Sequence, residues 1–362
     1  MKINEKNIKI TSQMLSQIAE IDSFKGAWTR SALLEKEQLT KLRKISTIES
    51  VGSSNRIEGN KLSDEEVEKL LSRISINRKS FKSRDEEEAT GYAKLMDTVF
   101  DNYSIIPLSE NYIKQLHQTL LQFVSKDERH RGEYKKLPNS VAAYDVDGKE
   151  IGIIFETASP FDTPRYMQEL IDWTQRNLND PYYHPLIIIG LFIVHFLAIH
   201  PFQDGNGRLS RVLTILLLLK AGYSYVPYSS IESIVEAGKE GYYIALRQTQ
   251  KNIFSENENI DYEPWLSYFL TILQKQKRHL ESKIEVMLKD ETKLDPKYKL
   301  SKNARMILDL FNDKPEWSVT DISNTLKLNI NTTAKTVKML VENGYITKHG
   351  TTKGAWYMLA VE

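Results

Sequence analysis

Residues able to do chemistry are concentrated in the stretch "HPFQDGNGRLSR", residues 200–211. His200 can accept a proton near neutral pH. Asp204 offers a carboxylate that suits a magnesium ion, because Mg²⁺ keeps most of its waters and takes further ligands from phosphate. Arg208 and Arg211 are three positions apart, so a helix would place both on one face, where they can contact the oxygens of a polyphosphate. These residue types point to chemistry on a phosphate group.

The glycines of this stretch predict where the phosphate would bind. Gly205, Asn206 and Gly207 stand where a new helix is expected to begin, so their backbone N–H groups can form an anion-binding concavity at the positive end of the helix dipole. Base, acid, phosphate nest and arginines together predict transfer of a nucleotidyl or phosphoryl group to a hydroxyl. The Gly-Lys-Ser/Thr of a Walker loop is missing, and Ser210 stands where a dinucleotide fingerprint has glycine.

The complete stretch matches the signature H-x-F-x-(D/E)-G-N-G-R-x-x-R at every specified position, and on these residues the chain resembles the Fic (filamentation induced by cAMP) family over residues 111–273. The resemblance implies a nucleotidyltransferase, a protein adenylyltransferase (AMPylator), that moves AMP from ATP to a Ser, Thr or Tyr hydroxyl of a target protein. The implied roles are general base for His200, magnesium ligand for Asp204, phosphate binding for Gly205, Asn206 and Gly207, a grip on the outer phosphates for Arg208 and Arg211, and a core anchor for Phe202.

A second motif lies upstream in "SSNRIEGN", residues 53–60. Ser54 and Glu58 fit the pattern (S/T)-x-x-x-E-(G/N) of the inhibitory helix that some Fic proteins carry before the catalytic core. The resemblance implies that Glu58 pairs with Arg211 and so blocks productive binding of the γ-phosphate. A glutamate at this place could also position a water, which leaves removal of AMP open as a further activity. The alternative interpretation is a helix end with a surface glutamate.

Two further segments resemble family features. Apolar-rich arms around Asp147-Gly148 predict a β-hairpin, which resembles the flap that pairs with an extended segment of the target protein, so we expect the target to dock at residues 139–157. A plain surface hairpin is the alternative. The segment "EGYYIAL" resembles the lining of the adenine pocket and suggests Tyr242, Tyr243 and Leu246, although aromatic residues at this spacing often belong to the core.

The rest of the chain predicts a mainly α protein. Apolar residues recur at three- and four-residue spacing, and Ser63 followed by Glu66 forms a capping box. A boundary is expected near Pro296. We expect an N-terminal helical region (1–105) that holds the inhibitory motif (54–59), a Fic catalytic core (106–275), a helical linker (276–300) and a C-terminal winged helix domain (301–362).

The C-terminal domain follows the order helix, helix-turn-helix, hairpin wing. Asn329 or Asn331 would cap its third helix, and that helix would bury Val337, Leu340 and Val341. DNA binding and protein contact both remain open for this domain, and so does a homodimer. The DNA interpretation depends on lysines that could meet phosphates, which are Lys327, Lys335, Lys338, Lys348 and Lys353.

Composition excludes several function classes. The 362 residues carry 49 Lys and Arg against 48 Asp and Glu, so there is no global attraction to nucleic acid, and the absence of cysteine excludes disulfides and thiolate metal sites. The apolar run 186–199 is shorter than the ~20 residues of a membrane span and predicts a buried helix. No signal peptide is visible, so we expect a cytoplasmic protein without a membrane contact.

The competing hypotheses are a DNA-binding transcription regulator whose Fic core senses a nucleotide, and a transferase with another nucleotide donor.

Overall fold

The computed structural model describes residues 3, 5–30, 34–76, 81–144, 150–254, 260–294, 300–312, 314–350 and 354–360. The chain divides into two compact units, residues 1–280 and 281–362. The described residues form fourteen α-helices and two antiparallel two-stranded sheets. The mainly α fold predicted from the sequence is therefore confirmed.

The first unit is a helical body. Its helices are α1 (Ser12–Arg30), α2 (Lys36–Ile57), α3 (Asp64–Ile76), α4 (Arg84–Asn102), α5 (Glu110–Leu120), α6 (Thr163–Asn179), α7 (Pro185–Ile199), α8 (Asn206–Lys220), α9 (Ile231–Ala237), α10 (Lys239–Gln250) and α11 (Glu263–Leu294), the last of which continues past residue 280. Short 3-10 helices cover Glu5–Asn7, Ser125–Asp127 and Val226–Tyr228.

Local sequence signals set several helix ends. At the start of α3, the Ser63 N–H donates to the Glu66 carboxylate at 2.9 Å and the Glu66 N–H donates to the Ser63 hydroxyl at 3.3 Å, which is the predicted capping box. Gly222 follows the end of α8 with a φ of 86°, a left-handed conformation that glycine adopts without strain. Both helix ends are thus set by residues close to them in the sequence.

Helix α7 is the centre of the first unit. Residues 186–199 are all buried, and α7 packs between α6, α8 and α10. The indole N–H of Trp265 donates to the Gly190 carbonyl at 2.7 Å, and His195 lies 3.0 Å from the Tyr262 hydroxyl, so the polar groups in this apolar layer have partners. Among the described residues no helix combines the length and apolar character needed to cross a membrane.

A hairpin of β1 (Ser140–Tyr144) and β2 (Glu150–Glu156) lies between α5 and α6. The strands are antiparallel, with Ser140 opposite Glu156 and two irregularities in the register. The predicted hairpin is thus present, while its predicted turn at Asp147-Gly148 lies outside the described residues.

The second unit contains α12 (Lys302–Asp309), a 3-10 helix (Leu310–Asn312), α13 (Val319–Leu326), α14 (Ile330–Glu342), β3 (Ile346–His349) and β4 (Trp356–Leu359). Val337 and Leu340 are buried in its core, as predicted, and Val341 is half-buried against them. Asn329, rather than Asn331, caps α14, because its side chain accepts the Asn331 N–H at 2.9 Å. This is the predicted order of helix, helix-turn-helix and hairpin. Pro296, the expected boundary, lies outside the described residues.

Candidate active site

A cavity of about 110 Å³ opens at the N-terminus of α8. The end of α7, the start of α8, the end of α2 and one face of α10 surround it. Its lining contains most of the sequence-predicted site residues, namely Glu58, His200, Asp204, Gly205, Asn206, Gly207, Arg208, Tyr242, Tyr243 and Leu246. Arg211 and Ser54 do not line it but contact each other beside it, and the Arg211 guanidinium reaches Glu58.

His200 ends α7 in an unusual conformation. Its φ of 51° and ψ of 62° lie in the left-handed region, which is uncommon for a residue other than glycine and typical of functional loops. Nδ1 lies 3.3 Å from the Leu197 carbonyl, so Nδ1 carries the proton there and Nε2 is left as the acceptor. Loss of water around the ring, together with the positive charge of Lys135, lowers the pKa of His200 to about 4. The imidazole is therefore neutral at pH 7 and able to take up a proton.

The loop that follows His200 is fixed from within. The Asn206 side chain accepts the Phe202 N–H at 2.9 Å and donates to the Phe202 carbonyl at 2.7 Å. Gly205 has a φ of 80° and precedes the first turn of α8. The buried side chain of Asn206 thus shapes the loop. Because the Gly205 N–H donates to the Asp204 carboxylate, the backbone N–H groups of Asn206 and Gly207 are left as the anion-binding element.

Gly207 lies against the glutamate of the upstream motif. A β-carbon at this position would collide with the Glu58 carboxylate. Glycine is therefore required wherever Glu58 keeps this place, and the carboxylate stands close to the predicted phosphate nest.

His117, which the sequence spacing did not single out, supports the same loop. Its ring stacks on Phe202 with centroids 3.8 Å apart. Nε2 donates to the Asp204 carbonyl at 2.9 Å, and Nδ1 accepts the Gly132 N–H at 3.0 Å, so both nitrogens are used. Burial lowers the pKa of His117 to about 4. The residue is a neutral support for the loop.

Asp204 faces two arginines. Its Oδ2 lies 3.1 Å from Arg84 Nη2 and 3.4 Å from Arg208 Nη2, while its Oδ1 accepts the Gly205 N–H at 2.6 Å. Burial raises the pKa of Asp204, but Arg208, the Gly205 N–H and Arg84 outweigh it and hold the pKa below its ordinary value. The group is ionised. Arg84 was not predicted, because it lies on α4, far away in sequence.

Asp204 is the residue of the motif whose carboxylate could hold a metal ion. In the part of the chain that the structure describes, no three histidine or acidic side chains are grouped so that they could hold a metal alone. One ionised carboxylate at the cavity fits Mg²⁺, which is commonly bound by one or two carboxylates together with substrate phosphates and water.

The two arginines of α8 are both buried, with 3% of the Arg208 side chain and 6% of the Arg211 side chain exposed. Arg208 forms an ion pair with Glu88 at 3.2 Å. Arg211 donates from Nη2 to Glu58 at 2.8 Å. Within the described residues, Arg208 Nε and Arg211 Nη1 have no hydrogen-bond partner. Buried donors of this kind are costly unless a ligand oxygen satisfies them, so both arginines fit an anionic ligand.

The end of α2 brings the inhibitory motif to α8. Arg211 donates from Nε to the Ser54 hydroxyl at 2.8 Å and from Nη2 to the Ser54 carbonyl at 2.9 Å. The Arg211–Glu58 bond joins residues 153 positions apart. The segment "SSNRIEGN" is thus a helix end that contacts the second arginine of the signature.

The side of the cavity formed by α10 is aromatic. Tyr242 is buried against Trp265, with ring centroids 5.9 Å apart, and Tyr243 is half-buried beside it. Burial raises the pKa of Tyr242 to about 12, so its hydroxyl stays protonated. Both tyrosines and Leu246 line the cavity, which gives it an apolar surface next to the charged one.

Comparison with known proteins identifies two domains. Residues 107–218 match the family model described as Fic/DOC family, and residues 300–347 match the model described as Winged helix-turn-helix DNA-binding. The protein named Protein adenylyltransferase Fic from Drosophila willistoni is 29% identical over 215 residues, which are 57% of this chain and 39% of that protein. The chain thus spans about two fifths of the length of this relative.

Solved structures show the same fold. A Fic family protein from Desulfovibrio desulfuricans superposes with a TM-score of 0.61 at 21% identity, covering 98% of each chain. A Fic domain containing signaling protein from Bacteroides thetaiotaomicron gives a TM-score of 0.57 at 25% identity, covering 76% of this chain and 97% of the other. The predicted family resemblance and the predicted winged helix domain are confirmed.

Proposed function

The chain carries a Fic/DOC domain followed by a winged helix domain, and we propose that it is a protein adenylyltransferase held in an autoinhibited state by Glu58. The observation that carries the proposal is the juxtaposition of a neutral His200, an ionised Asp204 and buried arginine donors around one cavity at a helix N-terminus. The relative from Drosophila willistoni bears the name of this activity.

The proposed reaction moves AMP from ATP to a hydroxyl. His200 Nε2 takes the proton of a Ser, Thr or Tyr hydroxyl of the target, and the hydroxyl oxygen attacks the α-phosphorus of ATP. A new O–P bond forms while the bond from the α-phosphorus to the bridging oxygen breaks, and diphosphate leaves with that electron pair. The backbone N–H groups of Asn206 and Gly207 and the Arg208 guanidinium stabilise the charge that develops on the phosphates. Held by Asp204, Mg²⁺ would neutralise part of the same charge.

Autoinhibition follows from the occupation of Arg211. Its Nη2 is engaged by Glu58 and by the Ser54 carbonyl, so it is not free for a γ-phosphate oxygen. The Glu58 carboxylate also places negative charge beside Gly207, where phosphate would bind. ATP then binds with its α-phosphate out of line for attack. The same carboxylate could hold a water for removal of AMP, and this second activity is tested by release of AMP from protein that already carries the label.

The hairpin is the proposed docking place of the target. Within the described residues its sheet contains only β1 and β2, so an extended peptide could add to an open edge. The hairpin base, at 139 and 157, is tied to the loop that carries His200. A docked peptide would thereby be held close to the proposed base.

Labelled nucleotides test the proposal. The full chain and its Glu58→Gly variant are incubated with ATP labelled in the α-phosphate, with and without a cell lysate, and protein-bound label is measured. Covalent label on protein is expected, with more from the variant. Label from UTP or GTP but not from ATP would show that the nucleotide donor is not ATP. Nucleotide binding without any covalent label would favour the nucleotide-sensing regulator instead.

A second candidate function, DNA binding, rests on the winged helix unit. Residues 300–347 match the Winged helix-turn-helix DNA-binding model, and the four predicted phosphate contacts in the described residues, Lys327, Lys335, Lys338 and Lys348, are exposed. Lys353 lies outside the described residues. Affinity for duplex DNA should fall with salt, and Lys335→Ala should reduce the salt slope by about one. Binding unchanged by salt or by Lys335→Ala would favour a protein contact.

A further inference from the structure

Lys135, in the loop before β1, is a buried cation next to the proposed base. Only 4% of the residue is exposed. Its ammonium donates to the Asn139 side-chain carbonyl at 2.8 Å, the Thr157 hydroxyl at 2.8 Å and the Ile199 carbonyl at 3.0 Å. All three acceptors are neutral groups, and burial lowers the pKa of Lys135 to about 7. A cation kept at such a cost is rarely there for stability alone.

The lysine holds the backbone on both sides of His200. Its ammonium binds the carbonyl of Ile199, the residue before, and its backbone N–H donates to the carbonyl of Pro201, the residue after, at 2.8 Å. His200 itself is in the left-handed conformation, which costs roughly 1–3 kcal/mol and persists only where surrounding contacts impose it. The two bonds from one residue are such contacts.

The same lysine closes the base of the hairpin. Asn139 and Thr157 are the residues immediately outside β1 and β2, and the Thr157 hydroxyl donates to the Asn139 carbonyl at 2.7 Å. Asn139 also donates to the Phe202 carbonyl at 3.0 Å. The hairpin that would dock the target and the loop that carries the proposed base are therefore joined by the Lys135 ammonium and by the Asn139–Phe202 bond.

Three charged groups act on His200. Lys135 contributes positive charge from the hairpin side, while Glu58 from the end of α2 and Asp204 from the loop contribute negative charge. The two carboxylates favour protonation of the imidazole, and the lysine opposes them. The positive charge of Lys135 therefore favours the neutral imidazole, which is the form that can accept a proton.

The geometry points to Lys135 as a positioning residue that holds His200 in its left-handed conformation and couples it to the target-docking hairpin. The same placement puts the positive charge of Lys135 where it opposes protonation of the imidazole. This inference rests on the proposed function only for its effect on transfer. Its effect on His200 is independent of the reaction.

The first experiment compares Lys135→Met and Lys135→Arg in full-length Glu58→Gly protein, with protein-bound label from ATP as the measure. Lys135→Met loses the charge and the three hydrogen bonds, and transfer should fall on the order of 10²-fold, as for a misplaced reacting group. Lys135→Arg keeps charge and donors and should restore a large part of the rate. The pKa of His200 is about 4 and should rise in the methionine variant, so the loss of transfer relative to the parent should be larger at about pH 5 than at about pH 7. Equal loss at both pH values would overturn the electrostatic role.

The second experiment needs no activity. Histidine ring ¹H–¹³C signals are followed with pH, and the His200 signal is identified by its loss in His200→Ala. The pKa of His200 should be higher in Lys135→Met than in wild type and unchanged in Thr157→Val, which removes one acceptor but leaves the charge. An unchanged His200 titration in a folded Lys135→Met protein would overturn the inference. If Lys135→Met does not fold, Lys135→Gln is titrated in its place with the same expectation. Absence of label from the Glu58→Gly parent would count against the proposed function alone, since the titration decides the inference separately.

Discussion

The cavity has two walls that the chain builds in different ways. The motif wall, residues 200–211, is continuous in the sequence, and part of its support comes from bonds within it, since the Asn206 side chain accepts the Phe202 N–H and the Asp204 carboxylate accepts the Gly205 N–H. The helix wall, residues 54–58 at the end of α2, is held from outside, because Arg56 binds Glu236 on α9 at 2.6 Å. The proposed catalytic groups thus lie on the motif wall, whereas the position of the inhibitory residue depends on a contact with α9. Transfer of AMP should therefore persist when the helix wall is displaced. It should be lost when the motif wall is damaged, even if the helix wall stays in place.

The largest effect on transfer is expected from removing the proposed base on the motif wall. His200→Ala takes away the neutral imidazole that is proposed to accept the proton of the target hydroxyl. Transfer should fall roughly 10²–10⁴-fold, the usual loss for a general base. ATP affinity, measured by calorimetry, should change little, because the phosphate nest and the arginines remain. Transfer that persists in His200→Ala would show that the base lies elsewhere.

Asp204→Ala and metal chelation test the other ionisable group of the motif wall. If the carboxylate acts only by holding Mg²⁺, each change should abolish most of the transfer, and chelation should have no further effect on the variant. Asp204→Asn is the matched control, since it keeps the shape but weakens the ligand. Label that still forms after chelation of all divalent cations would contradict the metal role.

The sequence predicts the motif wall well because its letters are contiguous. His200, Asp204, the nest and both arginines lie within one turn-and-helix unit, so spacing alone places them around one point. The capping box at Ser63, the buried α7 and the helix-turn-helix order also follow from local patterns. These are features for which sequence neighbours are also spatial neighbours.

The supporting residues could not be predicted in the same way. Arg84, His117 and Lys135 reach the site through the packing of α4, α5 and the loop before β1. No spacing in the sequence relates them to residue 200. The same is true of the buried carboxylate of Glu232, which accepts hydrogen bonds from the Ser50 hydroxyl at 2.8 Å and the Tyr92 hydroxyl at 2.7 Å and which no sequence pattern predicts. Tertiary contacts of this range depend on the whole helical packing.

Displacing the glutamate of the helix wall should raise activity. Glu58→Gly frees the N–H of Arg211 Nη2 that donates to the carboxylate, and it removes the charge beside Gly207. Transfer with ATP should rise roughly tenfold, the equivalent of the ~1.5–3 kcal/mol of a charged hydrogen bond reduced for the partial exposure of Glu58. ATP should also bind more tightly, because an intramolecular competitor is gone. Protein-bound label and calorimetry measure the two effects.

Two further variants sharpen this result. Glu58→Gln keeps the size of the side chain but not its charge, and an intermediate rise is expected. Arg211→Ala should stay inactive with or without Glu58→Gly, since the phosphate loses its partner in both. If Glu58→Gly equals wild type in label and in ATP affinity, the helix wall is a structural contact and regulation lies elsewhere.

The smallest effect is expected at the anchor of the helix wall. Arg56 donates to both carboxylate oxygens of Glu236, at 2.6 and 2.9 Å, and also binds Asp64 at 2.9 Å. Burial raises the pKa of Glu236, but hydrogen bonds from Arg56 and Ser53 and the positive charges of Arg56 and Lys239 together outweigh it and hold the pKa below its ordinary value. The stabilisation from the pair is therefore present above the ordinary carboxyl pKa and lost as the pH falls through the lowered one. Acid should loosen the end of α2.

Glu236→Gln breaks the anchor without touching the cavity. The pair is partly exposed and Asp64 still binds Arg56, so the end of α2 should lose about 1 kcal/mol of stabilisation in its inhibitory position. The end of α2 would then be displaced about five times more often, and transfer with ATP should rise about fivefold. Glu68→Gln is the matched control, because it breaks the Lys44–Glu68 pair between α2 and α3 at 2.7 Å, away from the motif. The rise should vanish when Glu236→Gln is combined with Glu58→Gly, which already lacks the block. A full fivefold rise in that double variant would mean that α9 acts on the motif wall directly, and the separation of the two walls would not hold.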